Sequence, residues 1–253
     1  MYASQRRKEI LKITKERNYI SVAELHKLFD VSEVTIRADL RNLETAGEIE
    51  RNYGGATIKD IKIPPFSEVT MLLNDAKELI AQTAAGLIQN GDSLFLDAST
   101  TTLLLSAYVA EIDNLTVISN SIPIFHQLKE YNRGTLIGIP GALNPITQSF
   151  VGPIAEQMIE NLRVRKAFIA PKGILPEGLR DHIMLEAAIR KKMIDSADEV
   201  IVLADHSKFT TKQTIFNIAS FDVVTTVVTD RDPGSMFKEL FQAKGIKLLI
   251  AEK

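Results

Sequence analysis

The chain has no cysteine and only four histidines among its 253 residues. Without cysteine it can form no disulfide, no thiolate metal site and no cysteine nucleophile. The histidines share no metal-ligand spacing, so we expect no zinc site and no metal or other cofactor. They are His26, His126, His182 and His206.

Long apolar runs and an excess of positive charge are also missing. No run of about 18 apolar residues could cross a membrane, and the first helix starts with charged residues rather than a secretory signal. We therefore predict a cytoplasmic protein with no membrane partner. The net charge is −2, and residues 1–60 hold 11 Lys+Arg against 10 Asp+Glu. Net charge alone therefore gives no indication of a nucleic-acid partner.

Residues 20–58 contain two short helices followed by a hairpin. Ser21 and Glu24 form a capping box, and Ser32 caps the second helix after a short turn. Helices joined so closely cross each other, and the second is presented outward. Two short strands surround a Gly54-Gly55 turn. The first helix buries an apolar stripe of Val22, Leu25, Leu28 and Phe29. Residues 1–58 are thus predicted to form a winged helix-turn-helix that sets residues 33–45 in a DNA major groove.

The outward face of the second helix supplies most of the predicted DNA contacts. Arg41 is expected to reach a guanine edge or a phosphate, while Val34 and Ala38 rest on thymine methyl groups. The full set predicted to contact DNA is Arg6, Ser32, Val34, Thr35, Arg37, Ala38, Arg41, Arg51 and Tyr53. A DNA-binding domain with almost no net charge must hold its cations next to the DNA and is expected to bind as an oligomer. On the helical pattern alone, a protein-interaction module is the alternative.

A second domain follows a predicted linker over residues 59–74, where adjacent prolines exclude a helix. From residue 75 onward, helices alternate with short strands. Strands are predicted at 93–96, 115–118, 135–138, 166–169, 200–203, 223–228 and 246–250. Helices are predicted at 75–89, 101–110, 121–131, 151–161, 183–196 and 234–244. The alternation predicts a mainly parallel, Rossmann-like α/β domain over residues 75–253.

Polar residues follow several of these strands, where ligands of such sheets bind. The loop from Asp97 opens a helix whose amides could hold a phosphate; alternatively, its hydroxyls only cap that helix. Residues predicted at these strand ends are Asp97, Ser99, Thr100, Thr101, Thr102, Asn120, Gly141, Gly152, Asp205 and Lys208. Glu186 is either a site carboxylate or solvated, and Arg190-Lys191-Lys192 is interpreted as a solvated face.

The first of these patterns resembles the DeoR family of bacterial transcription regulators. The resemblance rests on Val31-Ser32-x-x-Thr35-Ile36-Arg37-x-Asp39-Leu40 and Leu43-Glu44-x-x-Gly47-x-Ile49-x-Arg51-x-x-Gly54-Gly55-Ala56. Ala38 replaces a basic residue that is frequent in the family, and Tyr53 replaces a histidine. Matching segments continue from Phe95-Leu96-Asp97-Ala98 to Leu203-Ala204-Asp205-x-Ser207-Lys208-Phe209. Ser99 and Ser119 depart from the usual glycine and threonine, and Pro171-Lys172 replaces a small Ala-Ser pair before Gly173.

The resemblance implies a repressor of carbohydrate-metabolism genes whose second domain is similar in fold to ribose-5-phosphate isomerase. It implies operator DNA and a small phosphorylated sugar or related anionic metabolite as partners, and it adds Lys172 and Gly173 to the effector site. We expect a homo-oligomer, dimer or tetramer, held through residues 75–253. One alternative is a sugar-phosphate isomerase with Glu186 as general base, and another is a DNA-architectural protein. We predict no enzymatic activity, because a winged helix-turn-helix domain has no purpose in a metabolic enzyme.

Overall fold

The computed structural model describes residues 3–17, 19–45, 48–52, 55–58, 66–210 and 214–252. The chain divides into two compact units, residues 1–64 and 65–253.

The first unit is a winged helix-turn-helix. Its elements are α1 (Ala3–Arg17), β1 (Tyr19–Ser21), α2 (Val22–Phe29), α3 (Glu33–Thr45), β2 (Ile49–Asn52) and β3 (Gly55–Ile58). The strands form an antiparallel sheet in the order β1-β3-β2. The predicted caps are confirmed, since Ser21 Oγ accepts from the Glu24 amide at 3.1 Å and Ser32 Oγ from the Thr35 amide at 3.2 Å. Leu28, predicted to lie on the buried stripe, is instead exposed.

The second unit is built on a seven-stranded parallel sheet, as predicted. Its strands are β4 (Ser93–Leu96), β5 (Thr116–Ser119), β6 (Thr135–Gly138), β9 (Val164–Ile169), β12 (Ala197–Leu203), β14 (Thr226–Thr229) and β15 (Lys247–Ile250). The spatial order is β15-β14-β12-β9-β4-β5-β6. Helices α5 (Asn74–Ala85), α6 (Thr100–Val109), α7 (Ile122–Gln127), α8 (Pro153–Glu160), α9 (Met184–Asp195) and α10 (Ser235–Ala243) connect them.

Both faces of this sheet are buried, because side chains of successive strand residues point to opposite sides. Leu94 and Leu96 of β4 pack in one hydrophobic layer, while Phe95 between them packs in the other. A near-continuous apolar strand of this kind is what a sheet covered on both faces requires.

Several short elements were not predicted. Antiparallel strands β7 (Ala142–Asn144) and β8 (Ser149–Val151) form one pair, and β10 (Gly173–Leu175), β11 (Gly178–Asp181) and β13 (Phe216–Ala219) form a small sheet. The predicted strand at 223–228 begins only at Thr226, after a 3-10 turn (Phe221–Val223). Within the predicted linker, residues Phe66–Met71 form a helix, α4, whose Phe66 amide donates to the Ile146 carbonyl at 3.0 Å. These short elements lack the continuous β-branched or apolar runs by which the equally short strands of the central sheet could be recognised.

Candidate functional site

The outward face of α3 combines an apolar and a cationic side chain. Val34 is 78% exposed, and Ala38 and Arg41 are exposed as well. Ser32 and Thr35 share a hydroxyl contact of 2.9 Å at the helix start. An exposed valine on a helix of this kind suits contact with thymine methyl groups in a major groove.

The arginines around this face differ in how much of their charge is already matched. Arg37 lies 3.3 Å from Glu33, and Arg51 Nε lies 2.6 Å from Glu44 Oε2. Arg41 makes no ion pair with any residue the structure describes. The Arg41 guanidinium is therefore the cation of α3 that is available to an external acceptor.

Arg6 does not belong to this surface. It is 7% exposed, and its Nε donates to Asp39 Oδ2 at 2.6 Å. This buried ion pair joins α1 to the inner side of α3. Arg6 is thus buried in an ion pair rather than presented on the outward face of α3, and whether it contacts DNA stays a prediction. Tyr53 lies outside the described residues.

In the second unit, four loops with polar residues leave the same edge of the sheet. Strands β12, β9, β4 and β5 are neighbours and parallel, so their carboxyl ends lie together. We call this edge the rim. The residues that follow these strands are Asp205, Pro171-Lys172, Asp97 and Asn120.

A buried guanidinium lies at the centre of the rim. Arg190 of α9 is 2% exposed; its Nε donates to Asp97 Oδ2 at 2.6 Å and its Nη1 to Asp181 Oδ2 at 2.5 Å. Asp97 also accepts from the Ala170 amide and the Thr102 hydroxyl, both at 3.0 Å. Burial disfavours the charge of Arg190, but the two carboxylates outweigh it and raise its pKa. The group holds the ends of β4, β9 and β11 to α9.

Hydroxyls in the loop after Asp97 have two different surroundings. Ser99 and Thr102 cap α6 reciprocally: Ser99 Oγ accepts from the Thr102 amide at 3.1 Å, and Thr102 Oγ1 accepts from the Ser99 amide at 3.3 Å. These two residues therefore do cap the helix, and whether they also contact an effector stays a prediction. Thr100 and Thr101 form the first turn of α6, where backbone amides lack acceptors inside the helix. Those amides are suited to hold an anion.

Lys208 stands on a firmly anchored 3-10 turn, His206–Phe209, after β12. Its Nζ lies 3.2 Å from Asp205 Oδ2. His206 Nδ1 lies 2.7 Å from Asp230, and the Phe209 ring packs edge-on against Phe237 at 5.0 Å. Burial works against ionisation of Asp205, but Lys208 and the hydrogen bonds from Ser207 outweigh it and lower its pKa. The turn thus presents an ammonium held beside a carboxylate.

Lys172 adds a second cation beside this turn. It precedes β10, which packs against the turn 206–209. Burial lowers the pKa of Lys172, and the positive charges of Arg190 and Lys208 lower it further, against the opposing effect of Asp181. Positive charge at the rim is therefore incompletely matched by the protein's own carboxylates.

Lys77 of α5 is a third cation that the sequence analysis missed. It is 3% exposed, and its Nζ donates to the Val69 carbonyl at 2.6 Å. Burial and then Lys208 lower its pKa to about 8, with Asp205 opposing and Lys172 contributing a smaller lowering. Lys77 lies three residues before Ile80 and four before Ala81, both buried. This spacing places it on the inward face of α5, a signal that was available in the sequence.

Two family models match the chain. Residues 6–62 match the DeoR-like helix-turn-helix domain, and residues 73–231 match the DeoR C terminal sensor domain. The chain belongs to the DeoR family. It is a DNA-binding transcription regulator with a C-terminal sensor domain.

Relatives of this DeoR-family chain match it along nearly its whole length. The transcriptional regulator YulB of Bacillus subtilis is 35% identical over 242 residues, which cover 93% of each chain. The lactose phosphotransferase system repressor of Streptococcus mutans is 32% identical, covering 91% of this chain and 93% of the repressor. Ribose 5-phosphate isomerase A from Methanocaldococcus jannaschii is 19% identical with a TM-score of 0.39, covering 53% of this chain and 54% of the isomerase. This last likeness concerns the fold alone.

The other predicted sensor residues of this DeoR-family chain gather around β8. Asn120 Nδ2 donates to the Phe150 carbonyl at 2.9 Å. A Cβ on Gly141 would lie 2.7 Å from the Val151 carbonyl oxygen, so this glycine permits close packing. Gly152 starts α8 with φ 93, a conformation that favours glycine. Whether these residues contact an effector stays a prediction.

Glu186 links this group to the central guanidinium. It is buried, accepts from the hydroxyls of Thr147 at 2.7 Å and Ser149 at 2.6 Å, and lies 3.9 Å from Arg190. The alternative of a solvated Glu186 is therefore wrong, and so is the solvated interpretation of Arg190. A Cβ on Gly173 would lie 2.8 Å from Thr214, so Gly173 allows Thr214 to approach β10 closely.

Three buried polar atoms near these groups lack a hydrogen-bond partner among the described residues. They are Asn120 Oδ1, His182 Nε2 and Thr214 Oγ1. Burial is the largest effect that lowers the pKa of His182, which favours its neutral form. Buried polar atoms of this kind are usually satisfied in native structures, so they are candidates for contact with a bound molecule.

Within the described part of the chain, no group of three or more His, Asp or Glu side chains could hold a metal ion. None of the helices in that same part is both long and apolar enough to span a membrane.

Proposed function

We propose that this regulator represses carbohydrate-metabolism genes and that a small phosphorylated sugar, or a related anionic metabolite, bound at the rim changes its operator affinity. The observation that carries the proposal is that three lysines surround one edge of the sheet: Lys208 follows β12, Lys172 follows β9, and Lys77 is on α5, which packs against β12. The pKa values of Lys77 and Lys172 are both lowered, first by burial and also by neighbouring positive charge. An anion there would remove the cost of holding these ammonium groups together.

The carboxylates of the rim match only part of this positive charge, because Asp205 is the one that lies beside these lysines. Asp97 and Asp181 are both engaged by Arg190, and Asp205 is held by Lys208 and Ser207. A phosphate group carries about −1.5 to −2 charge near neutral pH and offers three acceptor oxygens. Amides at the start of α6 add donors that suit the same group.

The unpartnered polar atoms of Asn120, His182 and Thr214 support a ligand that carries several hydroxyl groups besides its phosphate. Leaving a buried polar atom unsatisfied costs about 1–3 kcal/mol, and sugar hydroxyls can both donate and accept. The relative from Streptococcus mutans is named as a repressor of a lactose phosphotransferase system, which supports the carbohydrate connection.

The proposed regulator is a homo-oligomer, dimer or tetramer, held through the sensor domain on repeated operator half-sites. A single reader with net charge near neutral contacts few base pairs and cannot select a site in a genome. Cytoplasmic location follows from operator binding. Light scattering at micromolar concentration tests the assembly, and a monomer that binds one half-site tightly would overturn it.

We further propose that the chain has no enzymatic activity. Glu186, the general base of the isomerase alternative, is buried and accepts hydrogen bonds from Thr147 and Ser149. Asp97 is likewise fixed by Arg190, Ala170 and Thr102. These contacts make the carboxylates structural groups rather than exposed proton acceptors. Conversion of pentose or hexose phosphates by the purified chain would overturn this proposal.

A ligand screen on the full chain tests the effector. We expect phosphorylated sugars, and not their unphosphorylated forms, to raise the melting temperature. The same compounds should change operator affinity by about 5- to 150-fold, the usual range of coupling between sites. Equal effects of sugars with and without phosphate would reject the anion site. Thermal stabilisation without any change in operator affinity would reject its regulatory role.

A further inference from the structure

Lys77 lies between the rim and α4. Helix α4 is the first described element after the winged helix-turn-helix, which we call the DNA-reading unit. On the rim side, α5 packs against β12, and Ile80 of α5 shares a buried cluster with Leu203 at the end of that strand. The charges of Lys208, Asp205 and Lys172 around this strand end act on the ionisation of Lys77. On the α4 side, its Nζ donates to the Val69 carbonyl at 2.6 Å. A buried ammonium held by a neutral carbonyl is poorly compensated, since ionised partners form shorter and stronger hydrogen bonds.

The chain around the end of α4 is exposed, although α4 also packs against α6. Met71, which ends the helix, is 80% exposed, and Leu72 and Leu73 after it are exposed too. Leu73 joins α4 to α5 with φ 50 and ψ 38, a left-handed conformation that side chains other than glycine rarely adopt. Strained residues of this kind persist only where surrounding contacts hold them. The Lys77 contact with Val69 is one such contact.

We propose that Lys77 is a ligand of the sensor's anion and that, in the anion-free chain, it holds the last turn of α4, so that anion binding releases this helix. The proposal rests on the proposed function, because it requires an anionic effector at the rim. A phosphate competes with the Val69 carbonyl for the ammonium group, and the flexible lysine stem allows the group to exchange partners. Because α4 precedes the sensor sheet in the chain, its release changes the segment through which the DNA-reading unit is attached.

Lys77 is outside the predicted sensor set, and its hydrogen bond to Val69 joins the sensor helix α5 to a segment predicted to be a linker. Lys208 and Lys172 have no hydrogen bond to α4 among those described. A role as ligand alone would leave α4 unchanged on anion binding. A merely structural role would leave anion affinity unchanged when Lys77 is replaced by a residue that preserves the fold.

Hydrogen exchange of the full chain measures both parts of the proposal. The probes are inorganic phosphate and glucose 6-phosphate, and the variants are Lys77→Met, Lys77→Arg and the matched control Lys191→Met on the exposed side of α9. In the wild type, we expect either probe to increase exchange across residues 66–73 several-fold. In Lys77→Met, exchange there should be high without probe and should not respond, and probe affinity should fall at least tenfold.

Two further variants separate loss of the Lys77 charge from the effect of substitution as such. Lys191→Met should behave as the wild type, and Lys77→Arg should retain most of the probe affinity because it keeps the charge. Operator affinity of Lys77→Met without probe should equal that of the effector-bound wild type. Wild-type probe affinity in Lys77→Met would overturn the ligand role, and unchanged exchange over residues 66–73 in the probe-saturated wild type would overturn release of α4.

Two further outcomes separate this inference from the proposed function. If Lys77→Met does not fold, as judged by circular dichroism, the wild-type exchange arm and Lys77→Arg decide the question. If no phosphorylated compound binds the wild type, the proposed function fails and this inference fails with it. If such compounds bind and shift operator affinity while Lys77 variants respond normally, only this inference is rejected.

Discussion

Arg190 Nε lies 2.6 Å from Asp97 Oδ2, and both side chains are almost completely buried. The same guanidinium reaches Asp181 at 2.5 Å. Through these contacts one side chain of α9 fixes the loop after β4 and the end of β11. The edge proposed to bind the effector is therefore organised around a buried ion network, and the proposal assigns the lysines around it to the ligand.

Replacing Arg190 by methionine should strongly destabilise the sensor domain. The change leaves Asp97 and Asp181 buried without their counter-ion, and breaking one partner of a buried pair typically costs about 3–5 kcal/mol. Urea unfolding of the full chain, followed through the sensor transition, measures the loss. Lys191→Met, the exposed neighbour, should change stability by no more than about 0.5 kcal/mol. Equal stability of the two variants would show that the network contributes nothing.

Arg190 and Lys77 also show why part of the site escaped sequence analysis. The parallel sheet, and with it the edge at which polar loops gather, could be predicted, because β-branched runs and intervening amphipathic helices are long-range, redundant patterns. A charged residue is normally assigned to solvent, since Lys and Arg are rarely buried unless paired. Arg190 follows Ala187 by three residues and precedes Ile194 by four, and both of these apolar residues are buried, so helical spacing indicated burial. Its partners Asp97 and Asp181 lie on other elements, and only the folded chain brings them together.

The DNA-reading unit contains a similar pair, which predicts a non-additive stability effect. Arg6 and Asp39 are both buried and 2.6 Å apart. Arg6→Met or Asp39→Leu alone should destabilise the unit by about 3–5 kcal/mol, whereas the double variant should recover much of that loss. Thermal unfolding of the four chains in a double-mutant cycle measures the coupling. Additive losses would mean that the two side chains stabilise α1 and α3 independently.

Operator binding should depend on Arg41 more than on other exposed cations. Arg41→Ala should weaken specific binding by about 1–3 kcal/mol, because it removes a contact to a guanine edge or phosphate. Arg51 forms an ion pair with Glu44, and Arg51→Ala should lower affinity more evenly across DNA sequences. Fluorescence anisotropy with specific and scrambled operators distinguishes these effects. Lys12→Ala on α1 serves as the charge-matched control, and an Arg41 variant indistinguishable from it would exclude the proposed docking of α3.

Lys208→Met should reduce effector affinity while leaving operator binding intact. A hydrogen bond to a charged group contributes about 1.5–3 kcal/mol, and the reader is a separate compact unit. The variant should therefore remain in the ligand-free response at effector concentrations that switch the wild type. Effector titrations of preformed operator complexes compare the two chains. Superimposable curves would assign Lys208 to pairing with Asp205 alone.

Effector affinity should fall as the pH rises above about 8. In the free chain the pKa of Lys77 is lowered from 10.5 to about 8, by burial first and by Lys208 second, so the ammonium loses its proton in this range. The pKa of Lys172 is shifted in the same direction. A bound anion favours the charged lysines and raises their pKa values. Binding above about pH 8 must therefore take up protons, which weakens it as protons become scarce.

The folding stability of the ligand-free chain should depend on pH with the opposite sign. Because the unfolded chain holds the Lys77 proton up to about pH 10.5 and the folded chain only up to about 8, the free energy of unfolding from this group increases with pH between those values. Thus the ligand-free chain should gain stability over a pH range in which it loses affinity for effector. Weaker effector binding above about pH 8 therefore cannot be attributed to destabilisation of the ligand-free chain by this group.

Calorimetric titrations at about pH 7 and pH 9, in buffers with different ionisation enthalpies, measure affinity and proton uptake together. The phosphate monoester itself is nearly fully dianionic above its second pKa of about 6, so its own charge changes little over this interval. One linked proton makes affinity fall by up to about tenfold per pH unit above 8. Lys77→Arg should remove most of this dependence because arginine stays charged. Affinity that is constant from pH 7 to 9 in the wild type would show that Lys77 does not ionise in response to the effector.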